Sequence, residues 1–132
     1  MFYLSKKVLI STNRRVTQLN GDPFGVQNES NLDHLIAAVE YKYDKKPLQE
    51  ALILKAAFML DFIANKGHIF IEGNKRTAIS STLLFLALNE VVLEDLNEKE
   101  LETFVLSVAS GKQSLSSVAS WLRQRIKAVE RI

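Results

Sequence analysis

Two stretches of this 132-residue chain, Leu48–Ala64 and Ala78–Leu88, carry apolar side chains on nearly every side of a helix. Leu52, Ile53, Leu54, Phe58, Met59, Leu60, Phe62 and Ile63 leave the first with no polar face, so it must be buried from several directions. Two such helices need a jacket of others around them, which makes an all-α bundle the expected fold. They are too short to cross a membrane: the longest unbroken apolar runs, Leu83–Leu88 and Ala56–Leu60, fall far below the roughly 18 residues a span requires.

The remaining segments supply that jacket. Ser5 is placed to cap a helix reaching about Leu19, with Val8, Thr12, Val16 and Leu19 on one face and Asn20-Gly21-Asp22-Pro23 as its stop. Leu32, Leu35, Ile36 and Val39 fall at helical spacing behind the possible caps Asn28, Ser30 and Asn31. Asn97 caps a further helix, with Glu100 completing a capping box, Leu96 and Leu101 a hydrophobic staple, and Leu101, Phe104, Val105 and Val108 the apolar face. Gly111 suits a left-handed stop, and Ser114 opens a last helix with Leu115, Val118, Ala119, Leu122, Ile126 and Val129 inward. The pattern predicts about six helices, no sheet and a single domain over 1–132. Residues 40–46, where Glu40-Tyr41-Lys42-Tyr43-Asp44 alternates polar and aromatic groups ahead of Pro47, read as an exposed flap.

Several functions are excluded early. The chain has no cysteine, so disulfides and thiolate metal sites are out, and the cytoplasm is the expected compartment. Seventeen Lys and Arg against fifteen Asp and Glu leave a formal charge of +2, which implies no nucleic-acid face. Val8-Leu9-Ile10 after Lys6-Lys7 is too brief for a signal peptide.

Chemistry concentrates in the loop 66–76 between the two buried helices: Gly67-His68-Ile69-Phe70-Ile71-Glu72-Gly73-Asn74-Lys75-Arg76. A helix opening near Asn74 aims free backbone N–H groups and its positive dipole end outward, which suits phosphate. Lys75 and Arg76 add cationic donors, Gly73 allows close backbone approach, Glu72 suits Mg2+ bridging phosphates, and His68 accepts a proton near neutral pH. Each also has an ordinary reading: a structural histidine, a solvated basic first turn, a plain Glu-Gly turn. Cations in a first turn oppose the dipole, however, and a bound anion accounts for them better. Ile69, Phe70 and Ile71 read as packing residues that anchor the loop. A Walker loop fails because Gly67 to Gly73 is one residue too long and Arg76 follows Lys75; a zinc protease fails because His34 and His68 form no H-E-x-x-H pattern.

The run His68-Ile-Phe-Ile-Glu-Gly-Asn-Lys-Arg-Thr-Ala78 resembles the signature of the Fic/Doc family, and the N-K-R-T-A sequence before Leu83–Leu88 is similar to that of its death-on-curing (Doc) toxins. The likeness extends from about Gly21 to Gly111 and Ser116-Ser117-Val118-Ala119. It implies that His68 deprotonates a target hydroxyl, Glu72 holds Mg2+, Phe70 is a buried anchor, and Gly73, Asn74, Lys75 and Arg76 form the nest for the phosphates of ATP. Adenylylating Fic proteins carry glycine and a second arginine where this chain has Lys75 and Ile79. The resemblance therefore implies a kinase that presents the γ-phosphate, with an adenylyltransferase as the alternative because Glu72-Gly73 is like the adenylylating members. Ser80 stands where a polar residue faces the nucleotide. Implied partners are a protein target, elongation factor Tu for Doc toxins, received at the flap by Tyr41, Lys42 and Tyr43, and an antitoxin in trans, because no [ST]-x-x-x-E-[GN] inhibitory motif is present. A helical module that binds a partner without catalysis is the reading from another class.

Overall fold

The computed structural model describes residues 1–94 and 96–128. Six helices dominate: α1 (Lys6–Asn20), α2 (Glu29–Tyr41), α3 (Leu48–Asp61), α4 (Asn74–Leu88), α5 (Glu98–Ala109) and α6 (Leu115–Arg125). Three of the expected serine and asparagine caps form. Ser5 accepts from the Val8 N–H, Asn97 from Lys99 and Glu100, and Ser114 from Ser117. Of the three possible caps of α2, Asn28 is the one used. The capping box of α5 is only half made, because the Glu100 carboxylate pairs with Arg125 of α6 instead. Leu96 stays exposed, so the staple over Leu101 leaves it in solvent.

α3 and α4 lie at the centre. Ala56, Ala57, Ile63, Ala78, Phe85 and Leu86 are essentially inaccessible, joined by Leu32 and Leu35 of α2, Val105 and Val108 of α5, and Val118 and Leu122 of α6. Fully buried alanines on both helices, Ala56 and Ala57 of α3 and Ala78 of α4, suit the close approach of helices that a core at organic-crystal density demands.

The structure departs from the sequence reading in four places. α3 continues into a π turn, Phe62–Lys66, whose wider loop carries the chain toward Gly67. A short antiparallel ribbon, β1 (Val91–Leu93) with β2 (Ile126–Ala128), stands where no sheet is expected. The ribbon draws Ile126 out of α6, which ends at Arg125; Val129 lies outside the described residues. The buried stripe of α1 is Leu9, Asn13 and Thr17, while Val8 and Leu19 are exposed. The stripe is one residue out of register with the apolar pattern: Asn13 turns inward to bond Glu72 and Thr77, and Thr17, buried beside it, satisfies its hydroxyl on carbonyls of its own helix. Finally, α2 runs through Tyr41, so the non-helical flap is 42–46. It is a turn closed by the Lys46 N–H on the Tyr43 carbonyl at 3.0 Å, with Tyr43 left-handed at φ 66°.

Candidate functional site

The loop from Gly67 to Gly73 is fixed on every side. The segment Gly25–Asn28 runs against it as an edge: the Gln27 and Asn28 N–H groups both donate to the Ile69 carbonyl, at 2.8 and 3.1 Å, and the Ile71 N–H donates to the Gly25 carbonyl at 3.0 Å. Side-chain amides extend the zipper. Asn31 Nδ2 donates to the Gly67 carbonyl at 2.7 Å and Gln27 Nε2 to the His68 carbonyl at 3.1 Å. Ile69 and Phe70 fill the core below, but Ile71 is about half exposed and lies over Gly25, so the loop has two apolar anchors and not three.

The loop then folds back on itself. Asn74 Oδ1 accepts from the Phe70 N–H at 3.1 Å, and Asn74 Nδ2 donates to the Phe70 carbonyl at 2.8 Å. This closed ring fixes the Asn74 amide, and the residue keeps its backbone N–H and one Nδ2 hydrogen to offer an anion. From α1, buried Asn13 donates through Nδ2 to the Glu72 carbonyl at 2.8 Å and to Thr77 Oγ1 at 3.1 Å. Gly73 is left-handed at φ 79°, and a Cβ there would stand 3.2 Å from Asn13, Val16 and Thr17 alike. Its lack of a side chain thus serves the approach of α1 as well as the turn.

These supports display a polar rim. His68 is exposed and held in the left-handed region at φ 44°, a rare conformation for a residue with a side chain. Glu72, Lys75, Arg76 and Ser80 are exposed as well. α4 starts with no side-chain cap and no acidic residue in its first turn, so its leading N–H groups have no side-chain acceptor among the described residues. Lys75 and Arg76 form no ion pair among the described residues. Uncapped amides, two unpaired cations and the dipole's positive end together make an anion-attracting surface. Ser80 follows Arg76 by one turn and shares its side of α4. Ile79 packs partly against the core, so no second cation extends from that position.

Among the described residues no three acidic or imidazole groups converge on a metal-sized space. Glu72 offers a single carboxylate, which fits Mg2+ that draws most of its ligands from phosphate and water. Between the flap turn and this loop, burial pushes the Tyr43 phenol above its ordinary value while the nearby Lys66 ammonium pulls it partly back. Tyr43 is partly buried in the flap turn, whereas Tyr41 points outward from the last turn of α2.

Sequence reasoning missed the supports. Asn13 and Thr17 sit among residues whose apolar pattern points one position away; their signal is a polar pair at i and i+4, in step with Leu9. Apart from Asn28 as a cap, Gly25–Asn28 carried no sequence cue, since backbone pairing with a distant loop leaves no composition signal. The described residues contain no helix long and apolar enough to cross a membrane.

Comparison with known proteins agrees with this geometry. Residues 3–86 match the model of the Fic/DOC family. The match begins well before Gly21, so it takes in α1 and its loop-supporting asparagine. The chain is also 30% identical over 131 residues to the protein kinase doc of Escherichia phage P1, covering 98% of this chain and all of that one. With the signature loop, its helical frame and this near full-length similarity in register, the chain belongs to the Fic/Doc family.

Proposed function

We propose that this protein is a Doc-like toxin that transfers the γ-phosphate of ATP to a hydroxyl of another protein. The single observation carrying the reading is the entrance of α4: uncapped amides with unpaired Lys75 and Arg76 beside exposed His68, on a loop immobilised by at least eight hydrogen bonds from its own and neighbouring residues. The name of the phage relative, a protein kinase, supports the same choice.

In this mechanism the triphosphate lies against the N–H groups of Asn74, Lys75 and Arg76, and the Lys75 and Arg76 side chains neutralise charge on its oxygens. His68 takes the proton of the target hydroxyl. The freed oxygen bonds to the γ-phosphorus as the bond from that phosphorus to the bridging β-oxygen breaks, and ADP departs. Bound Mg2+ would be held by Glu72 and the phosphates and would offset phosphate charge. The rigid loop matters because a base displaced by an ångström loses much of its rate advantage. Lys75 fills space that the glycine of adenylylating members leaves open, and Ile79 offers no cation for a triphosphate lying the other way round; both favour γ-transfer. Glu72-Gly73 favours the second reading, adenylylation on the same scaffold.

The target meets the protein at the turn 42–46, with Tyr41, Lys42 and Tyr43 as its contacts. Elongation factor Tu is the proposed target, the cytoplasm the proposed site of action, and an antitoxin acting in trans the proposed control. Incubation of a bacterial lysate with the protein and ATP labelled at either the α- or the γ-phosphate tests the chemistry. Only γ-label should enter protein; α-label would exchange the ranking of the two reactions, and transfer of neither would leave a binding module.

A further inference from the structure

A buried charge that the mechanism above does not use lies in the middle of α3. Lys55 is wholly inaccessible, yet its ammonium meets four oxygens: Asp44 Oδ1 at 2.7 Å, the Val39 carbonyl at 2.7 Å, the Tyr3 hydroxyl at 2.9 Å and the Glu40 carbonyl at 3.0 Å. An ammonium has three donors, so this shell is saturated. Val39 and Glu40 belong to the last turn of α2, where free carbonyls and the negative dipole end favour a cation. Asp44 is in the turn 42–46, and its side chain is otherwise about half in solvent. Tyr3 in turn stacks on Phe85 of α4, ring centres 6.2 Å apart. One side chain thus ties the flap, the end of α2 and the N-terminal segment before α1 to the two central helices.

Stability alone gives no reason for a lysine here. Burying an ion is costly even when it is paired, and well-packed apolar replacements of buried ion pairs are often neutral or stabilising. What an apolar side chain would not do is hold Asp44. A second tie runs along the other side of the turn: Lys42 Nζ sits 5.0 Å from the Phe58 ring, Phe58 stacks on Phe62 at 5.6 Å, and Phe62 packs so closely under Gly67 that a Cβ there would meet its ring at 2.8 Å. Gly67 is the residue before His68. The turn is therefore fixed at one end to the core and at the other to the histidine loop.

We propose that Lys55 is a positioning residue that, through Asp44, sets the target-receiving turn 42–46 at a fixed distance from His68, so that a hydroxyl on an extended segment of protein substrate reaches the imidazole. The proposal rests on the functional reading above for the role of the turn, but the tie itself is independent of it. Lys55 touches neither nucleotide nor substrate; it acts on the KM for protein and not on ATP.

Lys55→Met and Asp44→Ala test it; the second changes an exposed side chain and leaves the Lys55 ammonium three oxygens for its three donors. Amide hydrogen exchange at Lys42 and Lys46, whose N–H groups bond to Ala38 and Tyr43, should become about tenfold faster in both variants as local opening grows easier. Mg-ATP affinity by calorimetry should match wild type. Label transfer from ATP into a titrated lysate should fall about tenfold at low lysate protein and recover at high, the signature of a raised KM. Unchanged exchange in both variants would overturn the tie. Faster exchange with unaltered transfer would overturn the positioning role. A wild type that transfers neither α- nor γ-label would bring down the functional reading, and the positioning role with it, while exchange would still decide the tie.

Discussion

Three glycines of this chain are left-handed, and they make a controlled experiment. Gly21, Gly73 and Gly111 have φ of 70°, 79° and 77°; a Cβ at Gly21 or Gly111 would meet nothing within 4 Å, whereas at Gly73 it would stand 3.2 Å from three side chains of α1. Alanine at any of the three incurs a left-handed penalty of about 1–2 kcal/mol, offset by roughly 0.4–1 kcal/mol from a stiffer unfolded chain. Gly21→Ala and Gly111→Ala should therefore lose about 0.5–1.5 kcal/mol. Gly73→Ala adds overpacking against Asn13, Val16 and Thr17, typically another 1–3 kcal/mol, for a total of about 2–4. Thermal unfolding in the absence of nucleotide should show this as a Tm lowered by roughly 8–16 °C, against about 2–6 °C for the other two, at about 4 °C per kcal/mol for a domain of this size. Mg-ATP affinity should fall for Gly73→Ala alone, because the entrance of α4 moves with the glycine. If the three variants unfold within about 0.5 kcal/mol of one another, the packing of α1 against the loop is not what the glycine secures.

Further outcomes follow from other contacts. Asn13→Ala removes the donor to the Glu72 carbonyl and Thr77 and should lower stability by about 2–3 kcal/mol in urea unfolding, with weaker Mg-ATP binding on top; full affinity would detach Asn13 from the site. Gly67→Ala places a Cβ 2.8–3.0 Å from the ring and carbonyl of Phe62 and the side chain of Ile69, and circular dichroism should show a shift of the whole transition, where an unshifted one would refute the close fit. Stability should decline above about pH 10. Burial opposes the charge on Lys55, but its bonds to Asp44 and Tyr3 outweigh that and hold its proton past the ordinary range, while burial does the same for the Tyr43 phenol. In both cases the unfolded chain loses its proton first as pH rises, so the native state is favoured below that range and the advantage fades through it; Lys55→Met should flatten the alkaline limb, and an unchanged limb would contradict the assignment. Wild type expressed in a bacterium should arrest growth and His68→Ala should not; equal arrest would remove the imidazole from the mechanism.

The frame of the protein was readable from residues because each cue was local. Ser5, Asn97 and Ser114 cap their helices through bonds two or three residues away, and the helix beginning at Asn74 follows from Gly73 and the polar-to-apolar change after it. The exposed rim of the candidate site was equally easy to propose, since His68, Glu72, Lys75 and Arg76 lie within nine positions. What holds them was not. Asn13 reaches Glu72 across 59 residues, Asn31 reaches Gly67 across 36, and Lys55 gathers partners from residues 3 to 44. Hydrophobic periodicity has no means of marking a polar residue that is buried for a distant partner, and in α1 it pointed one residue away from the true inner face. The ribbon β1–β2 escaped for a related reason: three residue pairs give no alternation long enough to detect. The lone lysine amid the apolar residues of α3 was the long-range support with the plainest mark.

Calorimetric titration with Mg-ATP tests most directly whether phosphate rests on the entrance of α4. Wild type and His68→Ala should bind with the same affinity, and Lys75→Ala with Arg76→Ala should weaken binding at least about tenfold, the loss of two charge-assisted contacts. Absence of heat from the wild type, or undiminished affinity in the double variant, would contradict the account.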